Sequence, residues 1–480
     1  MSGELQARIR EEAVVGRLPL LREEREYSMR SLMSTGFAYA VATWCFLIGG
    51  YSAKYVGAVQ GVATLVAGCV VGVTLSAIAA ALACNRYGLE QIDFTKTCFG
   101  QRGARLILIF YYINQVGWSG IILVMSALAL QNVLGPEGLG WTLPAHTTNI
   151  VVLANVIIAY AIVVRGVHVL NVWNAVVTPG LVIVCALLFY AIFSQHSWSH
   201  LASLPPIEPT DDRLLNYALS FEFGLGAGFS WWPGIGFLAR NTDTQRNAFY
   251  PQVLTMGLAM GVICCSGLFA GLLFKVDDPS RWMMMVGGKW FGMAALLLIL
   301  IANISASSIM MYTAGLGMRH VPLFRDMHWN LLLVIAFVPV LAYVVWPDLL
   351  YQKGQAFLTY NATMYAPISG LLLVDYFWLR KQRVNLSQIF SDDRGSHYWF
   401  WGGFNWLAVI CLGLGYAIYL YLYDPVNVVA HDWFRWLTAS APATVIPMLI
   451  YFGLSRAFTS AERGGYGADT APLPIARVNL

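Results

Sequence analysis

The sequence predicts an all-α polytopic membrane protein with twelve transmembrane helices, on the evidence of composition, apolar runs and charge distribution. Of its 480 residues, 58% are hydrophobic and 11% are charged, whereas soluble domains carry about 25% charged residues. The apolar residues fall into runs of the length that spans a bilayer, about 20 residues per helix. These properties exclude an aqueous globular protein. The formal charge of +4 gives no support to a nucleic-acid partner.

The predicted spans divide into two blocks of five helices and a final pair. The blocks cover residues 34–193 and 214–379, the pair covers 399–453, and polar tails of 1–33 and 456–480 flank them. The individual runs lie at 34–54, 57–83, 104–132, 149–165, 169–193, 214–239, 250–274, 290–316, 329–346, 355–379, 399–422 and 433–453.

The distribution of lysine and arginine predicts the orientation. If the N-terminus is cytoplasmic, the inner side carries 22 of these residues and the outer loops carry 7. Cytoplasmic loops are enriched in Lys and Arg. We therefore expect a multi-pass protein of the inner membrane with both termini in the cytoplasm, surrounded by lipid, as a monomer or a loose oligomer.

Glycines interrupt the first and the sixth predicted span. Gly49-Gly50 lies in the first, and the run Gly224–Gly228 followed by Pro233-Gly234 lies in the sixth. Each of these spans opens a five-helix block, which is typical of transporters built from inverted repeats. Unpaired backbone at membrane depth is tolerated only where it lines a cavity. We expect helices 1 and 6 to be unwound near 42–50 and 223–230. Glycine is also a common packing residue in membrane helices.

Several ordered motifs resemble the nucleobase–cation symporter-1 family, whose members include permeases for cytosine, purines, allantoin and hydantoins. The longest is MYAPISGLLLVDYFWLRKQRVNLSQIF, with an Ala-Pro pair, a glycine and an Asp-Tyr before a basic stop. The others are YGLEQIDFTKTCFGQRGARL, VGWSG, YTAGL and YWFWGGFNWLAV.

The resemblance implies a five-plus-five inverted-repeat fold with two extra C-terminal helices. It also implies secondary transport rather than enzymatic activity. The expected function is import of a small planar nitrogen-rich solute, such as a nucleobase or a hydantoin, coupled to a cation by alternating access. A membrane-embedded enzyme or receptor is the alternative from another class. No catalytic constellation and no Walker motif supports it.

The resemblance also supplies candidate substrate residues. Trp118 in the third span corresponds to the family tryptophan that stacks on a heterocycle, and an indole face binds flat rings well. Phe229, Trp231 and Trp232 compete for the second aromatic position after the glycine run. Ile122 stands where the family usually carries an amide, and helix 8 lacks the family's asparagines at 306–311. We therefore expect a site poor in amides.

Glu222 is the only charged residue between Leu214 and Ala239. An intramembrane carboxylate suggests a cation partner or a proton carrier. This residue supports an alternative function, in which Glu222 and an aromatic box hold a small cationic solute such as a guanidinium compound. If the helix starts later than predicted, Glu222 instead lies in an outer vestibule.

The coupling ion is predicted to be sodium or a proton, with no other cofactor. The resemblance places a sodium site at the first and eighth spans, with Ala42, Cys45, Ala302 and Ser305 as its positions. Ser305 retains a hydroxyl, but Ala306 replaces the second hydroxyl of sodium-driven members. Proton coupling through Glu222 is therefore a competing hypothesis.

Overall fold

The computed structural model describes residues 18–40, 43–165, 167–391, 393–459 and 463–466. This part of the chain is mainly helical, with one two-stranded antiparallel ladder that pairs Tyr423 with Ala430. The helices are α1 Met29–Ala40, α2 Trp44–Tyr55, α3 Ala58–Tyr87, α4 Gln91–Phe99, α5 Gly103–Leu134, α6 Thr147–Val164, α7 Val167–Gln195, α8 Trp198–Ser203, α9 Arg213–Phe229, α10 Trp232–Arg240, α11 Gln245–Phe274, α12 Pro279–Val286, α13 Lys289–Met318, α14 Trp329–Val345, α15 Pro347–Gln352, α16 Gly354–Leu379, α17 Leu386–Ile389, α18 Trp406–Leu422, α19 Phe434–Leu437 and α20 Ser440–Phe458; the strands are β1 Tyr423–Asp424 and β2 Val429–Ala430.

Seven helices of the described chain are long and apolar enough to cross a membrane: α3, α5, α6, α11, α13, α16 and α20. Shorter apolar helices of 10–17 residues lie at Pro179–Gln195, Trp329–Val345 and Trp406–Leu422. The last of these begins later than the predicted span 399–422. Residues 399–405 form a turn instead, in which Gly402 and Gly403 take positive φ values of 69° and 94°.

Both glycine-bearing spans are interrupted, but not at their glycines. In the first, α1 ends at Ala40 and α2 begins at Trp44, so the interruption precedes Gly49 and Gly50, which are helical. In the sixth, the run Gly224–Gly228 is helical and the interruption follows it at Ser230 and Trp231. Within the described residues, the unwinding expected near 42–50 and 223–230 is limited to a short break in each span, at Thr43 and at Ser230, because the glycines themselves are helical and serve helix packing.

The glycines bring helix backbones together in two matching pairs. In the pair α2 and α11, a Cβ on Gly49 would collide with the carbonyl of Cys264, and one on Gly267 with that of Phe46. In each helix, the carbonyl that faces the partner's glycine belongs to the residue three positions before that helix's own glycine. The contact is therefore reciprocal between the two helices.

The pair α3 and α9 repeats this arrangement with the same spacing. A Cβ on Gly68 would collide with the carbonyl of Phe221, and one on Gly224 would lie 2.7 Å from the carbonyl of Leu65. Real Cβ atoms essentially never come within 3.0 Å of such an atom. Only glycine lets these backbones approach so closely, as small residues do in membrane helix packing.

We predict that Gly228→Ala destabilises the protein. Its Cβ would lie 2.7 Å from the Cys69 carbonyl oxygen and 2.7 Å from the Val73 nitrogen, both backbone atoms that cannot rotate away. Overpacking of this kind costs about 1–3 kcal/mol. The measurement is the thermal melting temperature of the protein in detergent. Gly413→Ala is the matched control, because nothing lies within 4 Å of its added Cβ, and the prediction fails if both variants melt alike.

Candidate functional site

A cavity with an empty volume of about 740 Å³ lies beside the two helix interruptions. This volume includes space that is open to solvent, and the cavity is called the central cavity below. Helices α2, α5, α9, α10, α11 and α13 contribute to its wall. The lining residues are Trp44, Ile48, Tyr111, Asn114, Gln115, Trp118, Ala227, Ser230, Trp231, Pro233, Gly234, Phe237, Leu238, Met256, Met260, Ile309, Met310 and Thr313.

Three of the five aromatic residues of the wall are tryptophans. The Trp44 ring centroid lies 5.6 Å from that of Trp231 and 6.4 Å from that of Trp118, at interplanar angles of 67° and 55°. The Trp231 indole N–H donates to the Met260 sulfur at 3.0 Å, which fixes the orientation of that ring. The structure thus brings Trp118 and Trp231 into one cavity and adds Trp44, which sequence reasoning missed.

The interruptions explain why Trp44 and Trp231 reach the cavity. Trp44 is the first residue of α2, and Trp231 lies between α9 and α10. A residue at a helix end is not confined to the packed face of the helix, so both side chains can turn inward. Phe357 packs behind Trp118 with ring centroids 5.6 Å apart at 75°. This edge-to-face contact supports the Trp118 ring from the side.

Two amides line the cavity, contrary to the expectation of an amide-poor site. Asn114 and Gln115 lie four and three residues before Trp118 on α5, a spacing that places all three on one helix face. Gln115 donates to the Thr313 hydroxyl at 2.5 Å, and Asn114 donates to the Asn361 side chain. The sequence-based expectation rested on Ile122, on the other side of Trp118, and on residues 306–311 of helix 8. The i−3 and i−4 spacing was the signal that could have revealed these amides.

Three other predicted substrate residues lie outside the cavity wall. Ile122 and Phe229 are fully buried among other helices, and Phe229 borders a separate apolar groove between α3, α9 and α20. Trp232 is also fully buried and stacks on Tyr365, with ring centroids 5.2 Å apart at an angle of 15°. Of the three aromatic candidates after the glycine run, only Trp231 faces the cavity.

Glu222 is fully buried and points away from the central cavity. Its carboxylate accepts hydrogen bonds from the Tyr419 hydroxyl at 2.8 Å and from the Ser440 hydroxyl. It also accepts from the backbone N–H groups of Ala439 and Ser440 at 3.3 and 3.4 Å. Because Ser440 begins α20, the carboxylate caps the positive end of that helix. The carboxylate therefore ties α9 to α18 and α20.

The predicted sodium positions are only partly described. Ala42 lies outside the described residues. Cys45, Ala302 and Ser305 are buried, and the Cys45 thiol donates to the Ala40 carbonyl at 3.1 Å. The helices that carry them, α2 and α13, are bridged by a buried hydrogen bond from Thr43 to Asn303. Oxygen atoms of both side chains thus lie beside the first interruption.

The sequence profile described as permease for cytosine/purines, uracil, thiamine and allantoin matches residues 19–434. A curated relative, the purine-uracil permease NCS1 of Arabidopsis thaliana, is 24% identical over 426 residues, which cover 83% of this chain and 69% of the relative. The allantoin permease of Bacillus subtilis is 29% identical over 110 residues, covering 22% of each protein.

Solved structures show the same fold. The inward-facing conformation of Mhp1 superimposes with a TM-score of 0.76 at 16% identity, covering 93% of this chain and 95% of that one. Mhp1 in a closed conformation with bromovinylhydantoin bound, a nucleobase-cation-symport-1 family transporter, gives 0.71 at 18%, covering 92% and 97%. A Na⁺-coupled sialic acid symporter gives 0.53 at 12%, covering 90% and 96%. The resemblance seen in the sequence motifs is thus confirmed: this chain is a multi-pass membrane protein that belongs to the family of permeases for cytosine, purines, uracil, thiamine and allantoin.

Proposed function

We propose that the protein is a secondary active transporter that imports a small, planar, uncharged nitrogen-rich solute, coupled to a cation by alternating access. The observation that carries the proposal is the composition of the central cavity. Three tryptophans offer flat faces, two amides offer hydrogen bonds, and none of the described residues that line it carries a formal charge.

The two kinds of wall residue select for a heterocycle. Offset or edge-to-face contacts with an aromatic ring contribute about 0.5–1.5 kcal/mol beyond the area buried. The amides can pair with ring N–H and C=O groups, which gives discrimination that apolar walls alone cannot provide. The names of the relatives agree with this class, since purines, uracil and allantoin are nitrogen-rich ring compounds.

The uncharged wall disfavours the cationic alternative. A guanidinium solute would lose its hydration in the cavity without gaining an opposite charge, and the desolvation of an unpaired charge is costly. Glu222 was expected to provide that charge, but its carboxylate already holds four donors at the start of α20.

We further propose the twelve-span topology, with five-plus-five inverted repeats followed by two helices and both termini in the cytoplasm. Reciprocal packing supports this topology. The first span packs on the seventh, and the sixth packs on the second. In each pair, the glycine of one helix faces the carbonyl that lies three residues before the glycine of the other helix. Two inverted copies of one five-helix unit would produce two such pairs. The excess of positive residues, 22 to 7, supports the orientation.

The coupling cation is proposed to be sodium or a proton. For sodium, the buried hydroxyl of Ser305 and the oxygens of Thr43 and Asn303 lie on the two helices where the resemblance places the site. For a proton, the buried Glu222 offers a carboxylate with hydroxyl partners. The two proposals differ in the gradient that drives accumulation, so one experiment separates them.

We predict that purified protein in liposomes accumulates radiolabelled uracil, a purine, allantoin or a hydantoin when a cation gradient is imposed. An inward sodium gradient and an inward proton gradient are tested separately, each with a matched collapse of the gradient by ionophore. Uptake that exceeds the collapsed control under one gradient identifies the coupling ion. If only a guanidinium compound accumulates, or none of these solutes does, the proposed function is wrong.

We predict that Trp118→Ala weakens solute binding at least about tenfold, equivalent to about 1.4 kcal/mol, because it removes one stacking face. Trp118→Phe should lose less, since a smaller aromatic face remains. The measurement is the equilibrium dissociation constant in detergent for the solute found by the uptake assay. Trp290→Ala is the matched control, since that tryptophan is 76% exposed on the surface. Unchanged affinity in folded Trp118→Ala would assign Trp118 to packing.

We predict that Glu222→Gln lowers the melting temperature but changes solute affinity less than about twofold, or 0.4 kcal/mol. The glutamine amide nitrogen cannot accept hydrogen bonds, so the Tyr419 hydroxyl and the donors at the start of α20 would lose a charged acceptor. This loss should lower the free energy of unfolding by about 1–3 kcal/mol. Glu208→Gln, at an exposed loop position, is the control. Loss of binding at unchanged stability would instead place Glu222 in the transport site.

A further inference from the structure

A second, smaller cavity joins the central cavity to one face of the protein. This connecting cavity has an empty volume of about 290 Å³ and shares Tyr111, Phe237 and Thr313 with the central cavity. On its other side His320 lies between it and a polar pocket of about 590 Å³. The three cavities thus follow one another in a row.

The row leads to the face that carries both described ends of the chain, here called the terminal face. At this face Leu20 donates its backbone N–H to Gly88, and Tyr27 donates to Asn241, both at 2.9 Å. Near the other end, Gly464 donates to His397 at 2.9 Å. In the proposed orientation this face is cytoplasmic, the side on which an importer releases its solute.

Two helices that line the central cavity also build the far end of the row. On α10, Phe237 lines both cavities and Arg240 lies three residues further along. The Arg240 guanidinium lies 5.3 Å from the centre of the Phe237 ring. On α13, Thr313 lines both cavities and His320 follows seven residues later, just past the helix end, about 10 Å along the axis. A movement of α10 or α13 would therefore change both the central cavity and the surroundings of His320.

His320 lies between two carboxylates at the start of α4, that of Glu90, the residue before the helix, and that of Asp93. Its Nδ1 is 3.6 Å from an oxygen of Asp93, and its Nε2 is 3.8 Å from an oxygen of Glu90. Lys96 pairs with Asp93 at 2.7 Å. Only 11% of the His320 side chain is exposed. Other charged or titratable groups face His320 or line the two adjoining cavities. They are Glu90 before α4, Asp93 and Lys96 of α4, Arg105 and Tyr111 of α5, Arg240 of α10, and Arg319 and Arg325 of the segment that carries His320.

This arrangement favours a protonated imidazole. Burial opposes the charge on His320, but the carboxylates of Asp93 and Glu90 outweigh it and raise the pKa of the imidazole. A charged imidazole is attracted to both carboxylates across 3.6 and 3.8 Å, whereas a neutral imidazole lacks this ionic attraction. The contact between α4 and the end of α13 is therefore stronger when His320 carries a proton.

We propose that His320, Glu90 and Asp93 form a proton-sensitive gate on the route from the central cavity to the terminal face, which protonation of His320 holds shut. The proposal rests on the proposed transport function. The raised pKa fixes the sign of its pH dependence: the closed contact is strongest below the ordinary pKa of a histidine, and it weakens as the pH rises through the raised pKa in the closed state. An alkaline terminal side therefore opens the route, and an acidic one closes it.

The test measures access to the connecting cavity without any solute. Leu316→Cys places a thiol in this cavity, and all eight native cysteines are buried, which keeps background labelling low. A small membrane-impermeant methanethiosulfonate is applied from the terminal face at about pH 6 and pH 8, which bracket histidine titration. Leu323→Cys serves as the reference. Leu323 is 75% exposed and lies between Pro322 and Arg325, which line the polar pocket. Its labelling rate at each pH corrects for the change in thiol ionisation.

We predict that the corrected labelling rate falls roughly tenfold from pH 8 to pH 6, because the protonated imidazole pairs with the two carboxylates; tenfold corresponds to about 1.4 kcal/mol. His320→Gln in the same background should label fast at both pH values. His328→Gln, at an exposed position of the same connection, should behave like the parent. The proposal is overturned if the parent shows no fall, or if His320→Gln keeps it.

A second variant guards against misfolding of His320→Gln. Glu90→Gln leaves the imidazole in place but removes one carboxylate, so it should reduce the fall in labelling rate; an unchanged fall contradicts the gate. Because no solute takes part, a wrong assignment of the solute class leaves this readout intact. A failed uptake assay with normal labelling would therefore overturn the proposed function and not the gate.

Discussion

The close approach of helix backbones at paired glycines is the constraint on which the cavity depends. In the pairs α2 with α11 and α3 with α9, each glycine faces a carbonyl that any Cβ would strike. These contacts hold the two pairs as rigid units. Backbone groups in a membrane must be paired or line a cavity. The interruptions at Thr43 and at Ser230–Trp231 lie beside the central cavity.

Charge is excluded from the cavity and placed where it joins helices. Glu222 ties α9 to α18 and α20, and Arg380 pairs with Asp375 at 2.6 Å at the end of α16. A buried charge costs less when it is paired and hydrogen-bonded. Each of these groups has its partners outside the cavity, and the described residues that line the cavity carry no formal charge.

Some of the site could be predicted from the sequence because the signal was local. Trp118 and Trp231 were among the candidates, and the resemblance supplied the helices that carry them. The choice among Phe229, Trp231 and Trp232 could not be made, because it depends on where the helix breaks to within one residue. The glycine run suggested a break at 223–230, but glycine permits both unwinding and close packing, and a sequence does not show which neighbour is present.

The role of Glu222 could not be predicted from the sequence, because it depends on residues that are distant in the chain. Its isolation in an uncharged helix suggested a functional carboxylate, yet its partners, Tyr419 and Ser440, lie about 200 residues later in the chain. No local pattern connects residues so far apart. Asn114 and Gln115 were missed for a different reason: they lie on the Trp118 face of α5, but the family comparison directed attention four residues in the other direction. Helical periodicity alone would have grouped them with Trp118.

Hydrogen bonds between α5 and α13 connect the cavity wall with the helix that leads to His320. Gln115 donates to Thr313 at 2.5 Å, and Thr313 lies two helical turns before His320. A solute that accepts a hydrogen bond from Gln115 competes directly with Thr313 for the same donor. Gln115 also donates to the Met310 carbonyl at 3.4 Å, and α13 ends two residues before His320, whose imidazole faces Glu90 and Asp93. The cavity wall and the contact at the terminal face are therefore built on one helix and the residues that directly follow it.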